Sequence, residues 1–235
     1  MKYFPVTNMK RLLLISIMAL AACNTKKTDE KKVPPSEIGT VISSDTTTIL
    51  GSKYMAYGTD QNRLIVLNMK GDTVLNQGGL YFEFEFSDFN RDSLNDILIR
   101  PHGNVASHSL LLFNKEEMNF MPVRGFEKLP DAKPISGTPY YYSYHATGCA
   151  DNLWESDLFY IENFETHRIA NISGNECEGD KSMIVSQVTD EEIRTLDKLT
   201  LDILPFYENR KWGFIAEYWT KNYFRFAEQK AQSVE

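Results

Sequence analysis

Five residues of one short segment have the types and the spacing of a cation-binding loop. Asp88, Asn90 and Asp92 alternate along the chain, Asp96 follows four residues later, and the backbone carbonyl of Leu94 lies between the last two. Alternate residues of a tight loop turn their side chains inward, so these oxygens are expected to converge. Calcium takes six to eight oxygen ligands and tolerates irregular geometry. We therefore predict a structural calcium site formed by these five residues.

The flanks of this segment are strand-like, which disfavours an EF-hand. The twelfth position of an EF-hand would fall on Ile99, which offers no carboxylate, and Ser93 replaces the turn glycine. The segment from Phe86 to Ile99 resembles the calcium loop of the FG-GAP/VCBS family, in which DxNxDGxxD lies between β-strands. The alternative is an Asx-rich turn without an ion, although crowded carboxylates repel one another when no cation is present.

A second polar segment contains His145, Asp151 and Glu155, which could be combined into an acid–base site. The simpler interpretation is that Trp154 belongs to the core and that the acids cap a turn. The sequence contains no GxSxG, HExxH, CxxC or phosphate-loop motif. We therefore predict no catalytic residues, and an envelope hydrolase that uses residues 145–157 stays an alternative.

The elements around these segments have the period of β-strands. Residues 63–67 and 73–75 flank Lys70–Asp72 as a hairpin, and Tyr81–Phe86 alternates aromatic with acidic residues. Further strands are predicted at residues 96–100, 109–113, 140–144, 158–161 and 183–188. A strand about every ten residues predicts a mainly β fold, with an antiparallel sheet, a sandwich or a partial propeller-like arrangement.

The pattern changes after Thr189, where we predict helices. Asp190 would begin the first helix, and Pro205 would end it. Its apolar residues recur at helical spacing at Ile193, Leu196, Leu199 and Ile203. The second helix would lie within 208–229, although the dense aromatic residues there leave a strand as the alternative. Its mainly aromatic stripe is expected to pack on the sheet rather than to line a ligand groove, and it comprises Trp212, Ile215, Trp219, Tyr223 and Phe226. The fold class is therefore α+β overall.

The first residues have the pattern of an export signal. Lys2, Lys10 and Arg11 precede an apolar run that is too short to span a bilayer. The run ends at Leu20-Ala21-Ala22-Cys23, which resembles a bacterial lipobox. That resemblance implies cleavage before Cys23 and lipidation of its thiol, so palmitate and the other acyl chains would anchor the protein in a membrane. An ordinary signal peptide with an incidental cysteine is the alternative.

The domain organisation follows from this signal. Residues 1–22 are the predicted signal peptide, and 23–38 are a polar, proline-containing stretch that predicts a disordered tether. Residues 39–235 form one predicted calcium-binding domain. Asn24, rather than Asp, follows the cysteine, which in enterobacteria-like systems implies the outer membrane; the periplasmic or surface face stays open.

The two cysteines left after lipidation, Cys149 and Cys177, are expected to form a disulfide. Paired cysteines are usual in exported chains. A metal site would need a CxxC or a nearby ligand pair, and neither occurs. A reactive free thiol would be disfavoured by an oxidising compartment.

Composition narrows the classes of function. The chain has 235 residues, 42% of them hydrophobic, and a formal net charge of −7. This size suits one domain with a real core, and the acidic balance excludes a typical nucleic-acid binder. An exported β domain with one calcium-type loop and one disulfide resembles periplasmic lysozyme-inhibitor or immunity lipoproteins over residues 54–165. The resemblance implies a non-enzymatic binding protein with a protein partner in the envelope. A surface adhesion or glycan-binding module, with stacking platforms at Tyr140–Tyr144, is a further alternative.

Overall fold

The structure is a computed structural model that describes residues 39–78, 82–101, 107–177, 181–189 and 192–227. In these ranges the chain forms three antiparallel sheets and a C-terminal α-helix, which confirms the predicted α+β class. The predicted signal peptide, Cys23 and the tether lie outside the described residues. None of the helices in the described ranges is long and apolar enough to cross a membrane.

The first sheet is a meander of four strands in sequence order. They are β1 (Val41–Ile49), β2 (Ser52–Thr59), β3 (Arg63–Asn68) and β4 (Thr73–Gly78). The predicted hairpin joins β3 to β4. Its turn is held by the Asn68 side chain, whose Oδ1 accepts the N–H of Lys70 at 2.9 Å and that of Asp72 at 3.0 Å. Gly71 supplies the positive φ of 77° that this turn needs.

The second sheet is another four-stranded meander. Its strands are β5 (Phe82–Ser87), β6 (Asp96–Pro101), β7 (Ser109–Asn114) and β8 (Asn119–Pro122). The predicted calcium segment is the connection between β5 and β6. It is therefore positioned by two paired strands, with Ser87 opposite Asp96 at their end.

The second sheet is the middle layer of the molecule because both of its faces are buried. Ile97 and Ile99 form one apolar cluster with residues of the first sheet such as Val66. The alternate residue Leu98 belongs to a different cluster, which includes Phe159 of the third sheet. The alternation of strand side chains thus places one core on each side of the same sheet.

The third sheet has seven strands and carries the helix on its far face. The strands are β9 (Lys133–Pro134), β10 (Tyr140–Tyr142), β11 (His145–Gly148), β12 (Leu153–Glu162), β13 (Glu165–Asn175), β14 (Ser182–Val188) and β15 (Ile193–Thr200). The helix α1 covers Lys211–Asn222. Its Trp219 is buried and donates through Nε1 to Ser156 Oγ of β12 at 2.8 Å. The predicted packing of the aromatic stripe on the sheet is confirmed there.

The prediction of a helix from about residue 190 is wrong. Residues 193–200 form the edge strand β15, and a short 3₁₀ helix follows at Leu201–Phe206. The cause is a β-bulge: Val185 pairs with Asp197 and Ser186 pairs with Thr195, so Leu196 is an extra residue. The bulge lets side chains three residues apart, Leu196 and Leu199, pack against the same core. Their spacing therefore imitates a helical period.

Candidate functional site

The loop between β5 and β6 folds back on itself through two left-handed residues. Arg91 has a φ of 62° and Ser93 has a φ of 70°. Ser93 stands where the FG-GAP/VCBS loop has its glycine, and the positive φ explains why that position favours glycine. The serine keeps the loop conformation at a backbone cost of about 1–2 kcal/mol.

The exposed side chains of the loop bind its own backbone. Asn90 Oδ1 accepts the N–H of Asp92 at 3.1 Å, and Asp92 Oδ1 accepts the N–H of Leu94 at 2.8 Å. Asp88 Oδ2 reaches across the loop to the N–H of Ser93 at 3.1 Å. These are Asx-type turns, which stabilise the loop locally.

Asp96 anchors the loop from below, and its side chain is fully buried. Its Oδ1 accepts the N–H of Phe113 in β7 at 2.9 Å, and its Oδ2 accepts the N–H groups of Phe89 at 3.0 Å and Asn90 at 3.4 Å. Burial raises the pKa of Asp96 to about 7, although these donors act in the opposite direction. One carboxylate therefore joins the loop to the middle sheet.

The structure thus places the five predicted ligand residues in one loop. Their oxygen atoms are of the kind that calcium prefers as ligands, and the residues are Asp88, Asn90, Asp92, Leu94 and Asp96. In the described part of the chain, no three His, Cys, Asp or Glu side chains form a group that could hold a metal ion. The loop is closed instead by hydrogen bonds from backbone N–H groups. Calcium binding at this loop therefore stays a prediction.

A cavity of about 570 Å³ opens beside the loop. Asn90, Asp92 and Leu94 form one wall, and Leu50 and Phe164 contribute apolar surface. Leu50 is 61% exposed, so its side chain offers apolar surface to solvent at this cavity. The cavity combines charged side chains of both signs, Asp92, Lys115 and Glu116, with apolar walls, as small recognition sites do.

The second polar segment separates into two sites. His145 and Glu155 are cross-strand neighbours, and His145 Nε2 lies 3.8 Å from Glu155 Oε2. Asp151 instead accepts hydrogen bonds from the Tyr144 hydroxyl and from Lys211 Nζ, the latter at 2.8 Å. The three candidate residues are therefore not assembled into one acid–base site by the contacts of the described residues.

Asp151 and Lys211 connect the segment to the helix. Burial acts to raise the pKa of Asp151, but the hydrogen bonds from Lys211 and Tyr144 outweigh it and the pKa is lowered. Lys211 Nζ also lies 5.6 Å from the ring centroid of Tyr144 and 5.8 Å from that of Trp212. Lys211 was not predicted, because it stands 60 residues from Asp151 and no local pattern marks it.

Asp157, the last residue of the acidic segment 145–157, is a second buried carboxylate, which the sequence did not single out. Its side chain is 2% exposed and accepts from Asn171 Nδ2 at 2.8 Å and from Arg168 Nη1 at 3.3 Å. Burial raises its pKa in spite of these partners. The available signal was an acid directly before a predicted buried strand at residues 158–161.

The cysteine prediction is confirmed within the domain. Cys149 and Cys177 form a disulfide that links the turn before β12 to the segment after β13. These strands are already paired, so the bridge closes the same end of the sheet.

Comparison with known proteins finds a distant structural similarity and no match in sequence. No protein-family model matches the sequence, and no curated protein matches it. A solved structure of a Xanthomonas type IV secretion system related protein is similar to 66% of this chain and to 93% of its own length, with 13% sequence identity and a TM-score of 0.47. A likeness of this extent supports no argument about the fold or the function of this chain.

Proposed function

We propose that the protein is a lipid-anchored, non-enzymatic binding protein of the bacterial cell envelope with structural calcium in the 88–96 loop. The observation that carries this proposal is the loop itself. The side-chain oxygens of this loop lie close to the buried Asp96 carboxylate and beside an open cavity. The export signal and the cysteine at residue 23 support the location.

Calcium would act on stability. Asp88, Asn90, Asp92 and Asp96 would supply side-chain oxygens, and Leu94 would supply its carbonyl. Extracellular-type sites bind at about 10⁻⁴–10⁻³ M. At about 1 mM free calcium, binding then adds about 0.4–1.4 kcal/mol to the free energy of unfolding.

Melting curves of the mature protein in calcium and in chelator test the calcium site. The wild type should melt a few degrees higher in calcium, and Asp92→Ala should abolish that difference. Magnesium should replace calcium poorly because it requires tighter octahedral geometry. Melting curves that calcium does not move, together with no heat in a calcium titration, would reject the site.

We propose further that the partner is a basic enzyme of the lysozyme or toxin class, which the protein would inhibit. The cavity beside the loop has Glu116 and Lys115 in its lining together with the exposed Leu50, and the chain as a whole has a net charge of −7. Opposite charge accelerates encounter and favours such partners. Apolar walls would then bury a side chain of the partner.

An inhibition assay against a panel of lysozyme-like enzymes tests this partner class. Glu116→Lys should weaken inhibition by about three- to tenfold through charge reversal at the cavity. Glu127→Lys, which makes the same change on an exposed residue outside the cavity lining, should not. Equal loss in both variants would refute the cavity as the contact surface, and no inhibition of any enzyme would refute the partner class.

The anchor is tested separately. Metabolic labelling with a clickable palmitate should mark the wild type and not Cys23→Ser. Equal labelling of the two proteins would reject the lipid anchor without affecting the calcium loop.

A further inference from the structure

A groove of about 820 Å³ opens where β13 extends past the end of β14. β13 pairs with β12 from Glu165 to Asn175, but it pairs with β14 only from Ala170 onward. β14 runs on to Val188 but, in the described part of the chain, does not pair with Thr166–Ile169 of β13, and Val188 lines the groove with them. This stretch of β13 lines the groove and leaves an open sheet edge there.

The open edge already accepts one residue of extended backbone. The Arg124 N–H donates to the Phe164 carbonyl at 2.9 Å, and the Thr166 N–H donates to the Arg124 carbonyl at 3.0 Å. This pairing is an isolated parallel bridge between Arg124 and Glu165. It stops there because the chain turns away at Gly125, which has a φ of 81°.

The groove is positive although the protein is acidic. Arg124, Lys128 and Arg168 line it, and Glu165 is the one carboxylate among its described lining residues. The formal net charge of the chain is −7, so the sign is reversed locally. Glu165 pairs with Arg124 and the buried Asp157 pairs with Arg168, so Lys128 is the excess cation of the described lining. At physiological ionic strength charges more than about 8 Å apart are largely screened, so this local excess keeps a sign opposite to that of the chain.

The arginines can bind a second carboxylate. Arg124 pairs with Glu165 at 2.6 Å, but the two side chains are 69% and 46% exposed, and such surface pairs exchange readily. Arg168 is 40% exposed and is held through Nη1 by the buried Asp157, so the other donors of its guanidinium are available. The buried carboxylate thereby positions Arg168 at the groove.

From this geometry we infer that the groove binds an extended acidic peptide segment, which adds to the open edge of β13 as a further strand. The backbone of the bound segment would pair with β13 from the Thr166 carbonyl to Ile169, because the Thr166 N–H already donates to the Arg124 carbonyl. Its alternate carboxylate side chains would meet Arg124, Lys128 and Arg168, because strand side chains repeat every two residues. The described linings of the groove and of the loop cavity have no residue in common, so this site is independent of the proposed inhibitory surface.

Fluorescence anisotropy with the full mature protein tests the inference. The probe is a fluorescein-labelled heptapeptide in which valine alternates with glutamate. The double variant Arg124→Gln, Lys128→Gln should bind this probe about five- to thirtyfold more weakly than the wild type. The control Lys53→Gln, Lys70→Gln makes the same charge change on the first sheet and should bind like the wild type.

Two further probes separate the acidic strand from other occupants. The same heptapeptide with lysine for glutamate, or with alternate backbone amides methylated, should bind at least tenfold more weakly. Equal binding of either probe would overturn the inference, as would displacement of the acidic peptide by millimolar inorganic phosphate, which would identify a simple anion site. A concentration-dependent dimer that does not bind the acidic peptide would also overturn it in favour of a second copy of this chain.

Discussion

Replacing Asp96 with alanine removes the acceptor that ties the 88–96 loop to the middle sheet. The main loss concerns the Phe113 N–H. The pairing of β6 with β7 ends at Ile97 opposite Leu111, so the Asp96 carboxylate takes the place of the next backbone partner. In Asp96→Ala this buried N–H has no acceptor in the structure, which costs about 1–3 kcal/mol.

The other two hydrogen bonds add less to this loss. The Phe89 N–H also donates to the Ser87 carbonyl at 2.9 Å, and the bond from the Asn90 N–H is long at 3.4 Å. Removal of the carboxylate also relieves its cost of burial, which the raised pKa of Asp96 reports. The additions and the relief of burial oppose each other, so the expected net loss in the free energy of unfolding stays at about 1–3 kcal/mol, or about 2–12 °C in melting temperature.

Urea unfolding in chelator measures this loss in the absence of any calcium effect. Asp92→Ala is the matched control because Asp92 lies in the same loop but is exposed, and it should lose less than about 1 kcal/mol. If both variants were destabilised equally, the anchoring role of Asp96 would be refuted. A larger effect of Asp96→Ala only in calcium would instead assign its role to the ion.

Three further changes test other parts of the structure. Ser156→Ala leaves the buried Trp219 indole N–H without its acceptor, so it should lower the free energy of unfolding by about 1–3 kcal/mol. Urea titrations measure this loss, and a change below about 0.5 kcal/mol would contradict the hydrogen bond. Cys149→Ala should cost about 3–4 kcal/mol, and reductant should then affect the wild type but not the variant; mass spectrometry of the unreduced protein should find Cys149 linked to Cys177. The pKa of Asp151 is lowered in the folded state, so its contribution to stability is present above its ordinary pKa and is lost as pH falls through the lowered value. Asp151→Asn should therefore flatten the acid limb of the stability profile, and an unchanged limb would contradict the ion pair with the helix.

The strands were predictable where a local pattern of residue types marks them. The alternation of aromatic and acidic residue types in the sequence of β5 and the turn residues at Lys70–Asp72 are both local properties. The edge strand β15 was not predictable in this way. It has one partner strand and a bulge at Leu196, and a bulge changes which residues share a face.

The site was predictable only in its local part. The loop residues Asp88–Asp96 are close in sequence, so their types and spacing identify the loop. The contacts of Asp151 with Lys211 and of Asp96 with Phe113 join distant segments, and they depend on how the sheets and the helix pack. A single sequence contains no spacing that reports such contacts.

The middle position of the second sheet has a consequence for the order in which the protein opens. Its strands β6 and β7 have apolar neighbours on both faces, whereas the first sheet and the helix each have one face toward solvent. Fraying can therefore begin at either end of the stack of layers while the middle sheet persists. Amide hydrogen exchange should divide the protein into cooperative units, with the slowest exchange at Ile97–Ile99 and Leu110–Leu112 and faster exchange in β1 and β15.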